Sequence, residues 1–184
     1  DLHPRVRRQR QMCIRDRFPD KLISYFSILS MLTRQLINIP VHLGLDHLPN
    51  IYCGVAVFVL LPLYIMCSKV NAREKIGKCV ILLIFLTAFN LNIPNYIWHG
   101  MHFPNSLPCR QSFIYIFFLL AMCYEAVINL KNSTNRQLGA SLWIAIGLLL
   151  IMEELFINSE TEYSFKSVYI SGIFILIYLS LIHI

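Results

Sequence analysis

The sequence predicts an all-α integral membrane protein with about five transmembrane helices, because apolar residues are in excess and lie in long blocks with little or no charge. Hydrophobic residues make up 57% of the 184 positions and charged residues only 14%. Soluble domains are nearer half apolar and one quarter charged. The mean hydropathy of +0.59 also indicates an excess of apolar residues. Short polar stretches separate the blocks, as in a chain that crosses a bilayer repeatedly.

Five apolar blocks are each near the ~20 residues that a helix needs to cross the hydrocarbon core. They cover residues 51–67, 79–97, 111–130, 138–156 and 167–184. Backbone groups in lipid must pair within their own segment, so each block is expected to be helical. Residues 51–178 are therefore interpreted as a transmembrane bundle.

The charges of the loops predict the orientation of this bundle. Residues 68–78 carry Lys69, Arg73, Lys75 and Lys78, and residues 131–137 carry Lys131 and Arg136. Short basic loops stay in the cytoplasm, so both are expected there. The loop 98–110, which has a single arginine, is then expected to be extracytoplasmic, and the alternation is consistent through all five blocks.

Both ends of the chain are interpreted as non-native. In residues 1–17, six arginines against two aspartates account for four of the net charge of +6. The rest of the chain is close to neutral, which argues against a nucleic-acid partner. The string QMCIRDR in this leader and LSLIHI in residues 179–184 resemble translated sequencing adapters, so the chain is expected to be an internal fragment. A genuine basic cytoplasmic tail is the alternative for the leader.

Residues 18–50 precede the first block and are expected to lie outside the membrane. Asp20 is a candidate N-cap, and apolar residues follow it at roughly helical spacing. This pattern indicates a helix on the outer surface or packed over the bundle, with a sixth span as the alternative. Pro40, Gly44 and Pro49 then predict a turn-rich approach to the first block.

The loop 98–110 has the greatest concentration of chemically versatile side chains. A guanidinium at Arg110 could pair bidentately with a phosphate or carboxylate, and His99 and His102 could bind the same anion or shuttle a proton. Trp98 offers a flat face to a sugar ring or to the membrane interface. The alternative is an interfacial tryptophan beside solvated polar residues. The two histidines have no third ligand nearby, so neither a metal site nor a cofactor is expected, although a divalent metal stays open.

Two polar features inside the blocks have structural interpretations. Glu125 either locks helices together or extends toward the cytoplasmic interface near Lys131. Asn90 and Asn92 are expected to form hydrogen bonds with neighbouring helices.

The string WHGMHFPNSLPCRQSF at residues 98–113 resembles the signature of the YfhO family of bacterial membrane proteins. That signature reads W-H-G and then P-N-x-L-P-x-R-x-S-F. The string LPNIYCG at residues 48–54 is similar to the family pattern L-P-N-I-Y-x-G. The resemblance covers roughly residues 20–178. It implies a GT-C-like bundle in a multi-pass protein of the bacterial cell membrane.

The resemblance also implies a function. YfhO-like proteins resemble glycosyltransferases that move a sugar from a polyprenyl-phosphate carrier to a cell-envelope polymer, such as lipoteichoic acid, outside the membrane. The implied partners are membrane lipid, the polyprenyl-linked sugar and the polymer acceptor. The expected substrate-binding residues are Trp98, His99, His102, Asn105 and Arg110. A transporter or flippase, or a non-catalytic membrane scaffold, is the alternative.

The expected catalytic carboxylate is not identified by this resemblance. GT-C enzymes usually place it in their first outward loop, and the fragment is expected to begin after that point. No Asp or Glu lies between Asn95 and Arg110. Asp46 is a weak catalytic candidate, so the fragment alone is expected to be inactive.

Overall fold

The computed structural model describes residues 18–41, 48–103, 109–157 and 165–183, and these ranges are all-helical apart from loops and one isolated β-bridge. Expectations for residues 1–17, Asp46 and Asn105 lie outside the described residues. The helices are α1 (Ile28–Leu32), α2 (Val57–Met66), α3 (Ala72–Asn90), α4 (Asn92–Trp98), α5 (Ser112–Ile128), α6 (Asn135–Ile157) and α7 (Phe165–His183). Two 3-10 turns, Thr33–Gln35 and Leu130–Asn132, follow α1 and α5.

Side-chain caps explain where several helices begin. Ser27 accepts a hydrogen bond from the backbone of α1, so the expectation that Asp20 caps this helix was wrong. Asn71 caps α3 in the same way. At the start of α6, the Thr134 hydroxyl accepts from the Gln137 N–H and the Gln137 side chain accepts from the Thr134 N–H. This reciprocal pair is a capping box, which satisfies backbone donors that the first turn leaves free.

The helices occupy the predicted apolar blocks, but their lengths differ from the prediction. Within the described ranges, one stretch, Asn135–Glu154, is both long and apolar enough to cross a membrane. Helices α2 and α5 and the stretch Lys166–Leu181 are apolar but shorter. Helix α3 has 19 residues, but its first turns are strongly charged. Helix length therefore supports one crossing directly, and not five.

Two blocks predicted as continuous helices are interrupted. In the first block, 51–67, residues 51–56 are non-helical and the helix begins at Val57. The second block, 79–97, is divided between α3 and α4 at Leu91, whose φ of −100° and ψ of 136° are extended. In both places, other segments of the same chain supply hydrogen bonds to backbone groups that a continuous helix would pair internally.

Helix α2 lies at the centre of the bundle, packed between α5 and α6. Helix α7 packs on α6, and α3 packs on α5. The inward side chains of α2 are almost fully buried, with Val59 and Tyr64 0% exposed and Leu63 2% exposed. Helix α1 packs against α6, so the short segment before the first block covers the bundle, as one interpretation of the sequence proposed.

The non-helical approach to α2 is held by two polar side chains that follow α1. Arg34 is only 3% exposed, and it donates to the Pro49 carbonyl oxygen and to Asn50 Oδ1. Gln35 donates from Nε2 to the Gly54 carbonyl oxygen at 3.3 Å. Buried backbone oxygens need a hydrogen-bond donor, and outside a helix a side chain can supply that donor. These contacts explain how the chain enters the core without helical structure.

The two basic loops lie at the same end of the bundle. Lys75 Nζ, in the first turn of α3, donates to the Ile65 carbonyl oxygen near the end of α2 at 2.8 Å. Gln137 Nε2, in the first turn of α6, donates to the Met66 carbonyl oxygen at 2.9 Å. The ends of α2 therefore meet the starts of α3 and α6. The prediction that both basic loops lie in one compartment requires them to be at the same end of the bundle, as they are. That this end faces the cytoplasm stays a prediction.

An ion pair joins α3 to α5 at this basic end. Lys78 binds Glu125 across the two helices and Glu74 within α3, the latter at 2.6 Å. The Lys78 ammonium also lies 5.5 Å from the ring centre of buried Tyr64. The helix-locking interpretation of Glu125 is therefore confirmed, and its partner is Lys78 and not Lys131.

We expect the substitution Lys78→Met to lower the free energy of unfolding by about 1–2 kcal/mol, because it leaves the Glu125 carboxylate without its cation in a partly buried site. The double variant Lys78→Met with Glu125→Leu should recover most of this loss. The control Glu74→Gln, at a half-exposed carboxylate, should change stability by only about 0.3 kcal/mol. Thermal unfolding in detergent measures all three. A double variant less stable than Lys78→Met would contradict the pairing.

Candidate functional site

The site begins at the break between α3 and α4, where Asn90 and Asn92 pair with the extended residues 21–26. The Tyr25 N–H donates to the Asn90 carbonyl oxygen at 2.9 Å, and the Asn92 N–H donates to the Ile23 carbonyl oxygen at 3.0 Å. Both asparagine side chains are buried and accept further backbone N–H groups from the same segment. The expectation that they bond neighbouring helices was wrong, because the extended segment offers unpaired backbone groups that helices lack.

The string W-H-G ends α4 in a Schellman motif. The Gly100 N–H donates to the Ile97 carbonyl oxygen at 3.1 Å, and the Met101 N–H donates to the Tyr96 carbonyl oxygen at 3.0 Å. Gly100 has φ of +74°, a left-handed conformation that glycine adopts without steric cost. The motif places Trp98 in the last turn of the helix and His99 at its C-cap, so both side chains are carried on ordered backbone.

The His99 imidazole has a defined orientation. Its Nδ1 lies 2.8 Å from the Asn95 carbonyl oxygen. A carbonyl oxygen only accepts, so Nδ1 carries the proton. The other ring nitrogen, Nε2, is buried and has no hydrogen-bond partner in the part of the chain that the structure describes. In the neutral ring this nitrogen is an acceptor.

Trp98 forms one wall beside this imidazole. Its ring meets Phe85 of α3 edge to face, with ring centres 5.0 Å apart. The side chain is still 43% exposed, so one part of the indole is fixed by packing and another is open to a ligand or to lipid.

The opposite wall is the entry to α5. Cys109 has φ of +60°, and its buried thiol lies 3.9 Å from the Phe89 carbonyl oxygen. Burial raises the pKa of the Cys109 thiol to about 12, so the thiol is protonated and packs as a small apolar group. The turn at Cys109 directs the chain so that Arg110 and Gln111 follow immediately at the start of the helix.

An open cavity of about 210 Å³ lies between these two walls. The cavity is lined by Trp98, His99, Arg110, Gln111, Phe113 and Ile114. Three of the expected binding residues, which lie up to twelve positions apart in the sequence, therefore share one cavity. His102 is exposed and does not line it, and Asn105 and Asp46 fall outside the described ranges.

Gln111 was missed by the sequence reasoning. It is only 3% exposed, and both its amide nitrogen and its amide oxygen have no hydrogen-bond partner among the described residues. The available signal was an amide directly after the motif arginine, at the start of an apolar helix. That position alone does not distinguish a capping residue from one that lines a cavity.

The described residues contain no group of three or more His, Cys, Asp and Glu side chains that could hold a metal ion. None of the six residues that line the cavity is acidic. The chemistry on these walls is therefore that of a cation, an imidazole, a neutral amide and an aromatic ring.

Comparison with known proteins adds one finding. The family described as bacterial membrane protein YfhO matches residues 19–184. No curated protein and no solved structure matches the chain significantly.

We expect Gly100→Ala to lower the free energy of unfolding by about 1 kcal/mol, because alanine is strained at φ of +74°. Space is not the reason, since an added Cβ would meet only His102 Nδ1, at 3.9 Å. The matched control is Gly77→Ala in α3, where an added Cβ meets nothing within 4 Å, and it should raise stability by about 0.5–1 kcal/mol. Thermal unfolding of both variants tests this. Equal stabilisation by both would exclude the Schellman ending.

Proposed function

Because the chain belongs to the YfhO family of bacterial membrane proteins, we propose that it forms part of a membrane glycosyltransferase. The enzyme transfers a sugar from a polyprenyl-phosphate carrier to a cell-envelope polymer, such as lipoteichoic acid, on the outer face of the membrane. The observation that carries this proposal is the cavity that brings Trp98, His99 and Arg110 together.

The side chains of the cavity suit the carrier phosphate and the sugar attached to it. When the bond to the sugar breaks, negative charge develops on the departing phosphate, and the Arg110 guanidinium beside it stabilises that charge. The open part of the Trp98 indole packs against the face of a sugar ring. At about 210 Å³ the cavity is smaller than the ~300–1,000 Å³ of most ligand sites. It therefore takes the sugar-phosphate junction, while the polyprenyl chain lies in lipid.

The five apolar blocks are proposed to cross the membrane. The critical case is the first, because α2 has only 10 residues, or about 15 Å. The six residues 51–56, of which Val55 and Ala56 form a turn, lengthen this segment and are proposed to carry the chain across the rest of the ~30 Å hydrocarbon core. Non-helical backbone is tolerated at that depth only inside protein; Ile51 and Val55 are each 1% exposed, whereas the Tyr52 side chain is 47% exposed.

Exposed apolar side chains support the same arrangement. Large apolar residues on the outer faces of α5, α6 and α7 are more than half exposed, and extensive apolar surface of this kind indicates contact with lipid. They include Phe113, Phe117, Tyr124, Trp143, Leu150, Tyr169, Ile173, Leu176 and Leu181.

The cavity is proposed to face the outside of the cell. It lies where α4 ends and α5 begins, whereas the basic loops lie where α3 begins and α5 ends. The two features are thus at opposite ends of the bundle. If the basic end is cytoplasmic, as the loop charges predict, the cavity opens on the side where envelope polymers are modified.

The acid–base residue of the proposed reaction is not assigned. Sugar transfer needs a base to activate the acceptor hydroxyl, and none of the described residues that line the cavity has a carboxylate. Asp46 keeps its place as a weak candidate on sequence grounds only.

A transporter or flippase is the second candidate, and the interrupted first block favours it. Transporters bind substrate near the middle of the membrane, where discontinuous helices meet. The half-helix α2 is such an element, but its start is packed in the core, and the cavity lies at the end of the bundle. Transport predicts an altered distribution of the lipid-linked sugar across the membrane, whereas transfer predicts altered polymer.

We expect Arg110→Lys in the complete protein to lower glycosylation of the envelope polymer about tenfold or more, because an ammonium does not reproduce the bidentate contact to phosphate. The control is Arg73→Lys, at an exposed position at the opposite end of the bundle, which should leave glycosylation unchanged. Mass analysis of the isolated polymer measures the effect at matched protein levels. Normal glycosylation in both Arg110→Lys and Arg110→Ala would contradict the phosphate contact.

The orientation has a separate test. Native Cys109 is unsuitable as a labelling site because it is only 4% exposed. We expect a membrane-impermeant maleimide, applied to intact cells, to label Met101→Cys, since Met101 is 56% exposed near the cavity. Lys69→Cys, in an exposed basic loop, should react only after the cells are opened, and the unsubstituted protein gives the background. The reverse pattern would put the cavity in the cytoplasm.

A further inference from the structure

We propose that Gln111 determines specificity in this cavity, by binding hydroxyl groups of the sugar together with His99 Nε2. The inference rests on the proposed function and goes beyond it, because it assigns the sugar and the phosphate to different side chains. Arg110 holds the phosphate, and Gln111 and His99 beside it hold the sugar.

Burial without partners is the first reason. Gln111 is 3% exposed, and neither polar atom of its amide is paired within the described ranges. Proteins rarely bury a polar side chain in this state, because its lost hydration is not replaced. The other buried glutamine, Gln35, uses its Nε2 to hold the Gly54 carbonyl oxygen. Among the residues that the structure describes, the Gln111 side chain has no such internal partner.

The position of Gln111 at the N-cap of α5 is the second reason. Its carbonyl oxygen accepts from the Ile114 N–H at 3.0 Å and from the Tyr115 N–H at 3.4 Å, so its backbone is fixed by the helix. Its side chain makes no capping hydrogen bond, and Gln111 is one of the residues that line the cavity. A side chain at this position usually satisfies the first turn, and here the buried amide does not.

The hydrogen-bonding character of the two groups identifies the ligand class. An amide has both donors and an acceptor, and His99 Nδ1 donates to the Asn95 carbonyl oxygen, so that in the neutral ring Nε2 is an acceptor. A phosphate oxygen only accepts when ionised, so it would leave Gln111 Oε1 unsatisfied, and His99 Nε2 as well when the ring is neutral. Hydroxyl groups both donate and accept, and therefore satisfy both. A ring with several hydroxyls, stacked on Trp98, fits this set.

The experiment is a calorimetric titration of the full-length protein, purified in detergent, with two probes. Geranyl phosphate carries the phosphate alone, and geranyl phosphoglucose carries the phosphate with a hexose. We expect Gln111→Leu to weaken binding of geranyl phosphoglucose about tenfold and binding of geranyl phosphate less than twofold. Arg110→Ala should weaken binding of both probes.

The stability of the variants separates a binding role from a structural one. Gln111→Leu removes unpaired polar atoms, so its unfolding midpoint should equal or exceed that of the unsubstituted protein. The control Gln137→Leu should lower the midpoint, because Gln137 holds the Met66 carbonyl oxygen at 2.9 Å, and it should leave the affinity for both probes unchanged.

The remaining outcomes overturn different statements. If Gln111→Leu affects both probes equally, affects neither, or lowers stability as Gln137→Leu does, the assignment of Gln111 is wrong, while Arg110-dependent binding of phosphate still supports the proposed function. If the unsubstituted protein binds neither probe, the proposed function is wrong and the assignment of Gln111 with it.

Discussion

The structure depends on pairing backbone groups wherever the chain is buried without being helical. A helix satisfies its own N–H and C=O groups, but the approach to α2 and the break at Leu91 do not. Arg34 and Gln35 supply hydrogen bonds to the first of these, and the backbone and side chains of Asn90 and Asn92 supply them to the second. These four polar residues let two irregular segments exist inside an apolar bundle.

The irregular segments have consequences for the site. The extended residues 21–26 hold the point where α3 ends and α4 begins, and the short α4 then ends at Gly100 with Trp98 and His99 in place. A continuous helix through this block would have carried Trp98 onward along the axis of α3. The break instead allows its ring to meet Phe85 of that same helix, which leaves room for a cavity beside the start of α5.

Charge is divided between the two ends of the bundle. The basic end uses Lys78 and Glu125 to neutralise each other and to join α3 to α5, so its charges have a structural role. At the cavity end, Arg110 is one of the lining residues, and two buried groups, the Gln111 amide and His99 Nε2, lack partners in the described part of the chain. The first arrangement favours stability, and the second favours binding.

The sequence by itself determined the helical class, the apolar blocks, the family and three side chains of the cavity. Those features are local, because hydropathy and short motifs such as W-H-G are properties of neighbouring residues. Only the tertiary structure decided where Arg34 finds its acceptors, why the helix stops at Leu91 and that the Gln111 amide is buried unpaired. Each of these depends on groups from distant parts of the chain, and no periodicity records which distant groups will meet.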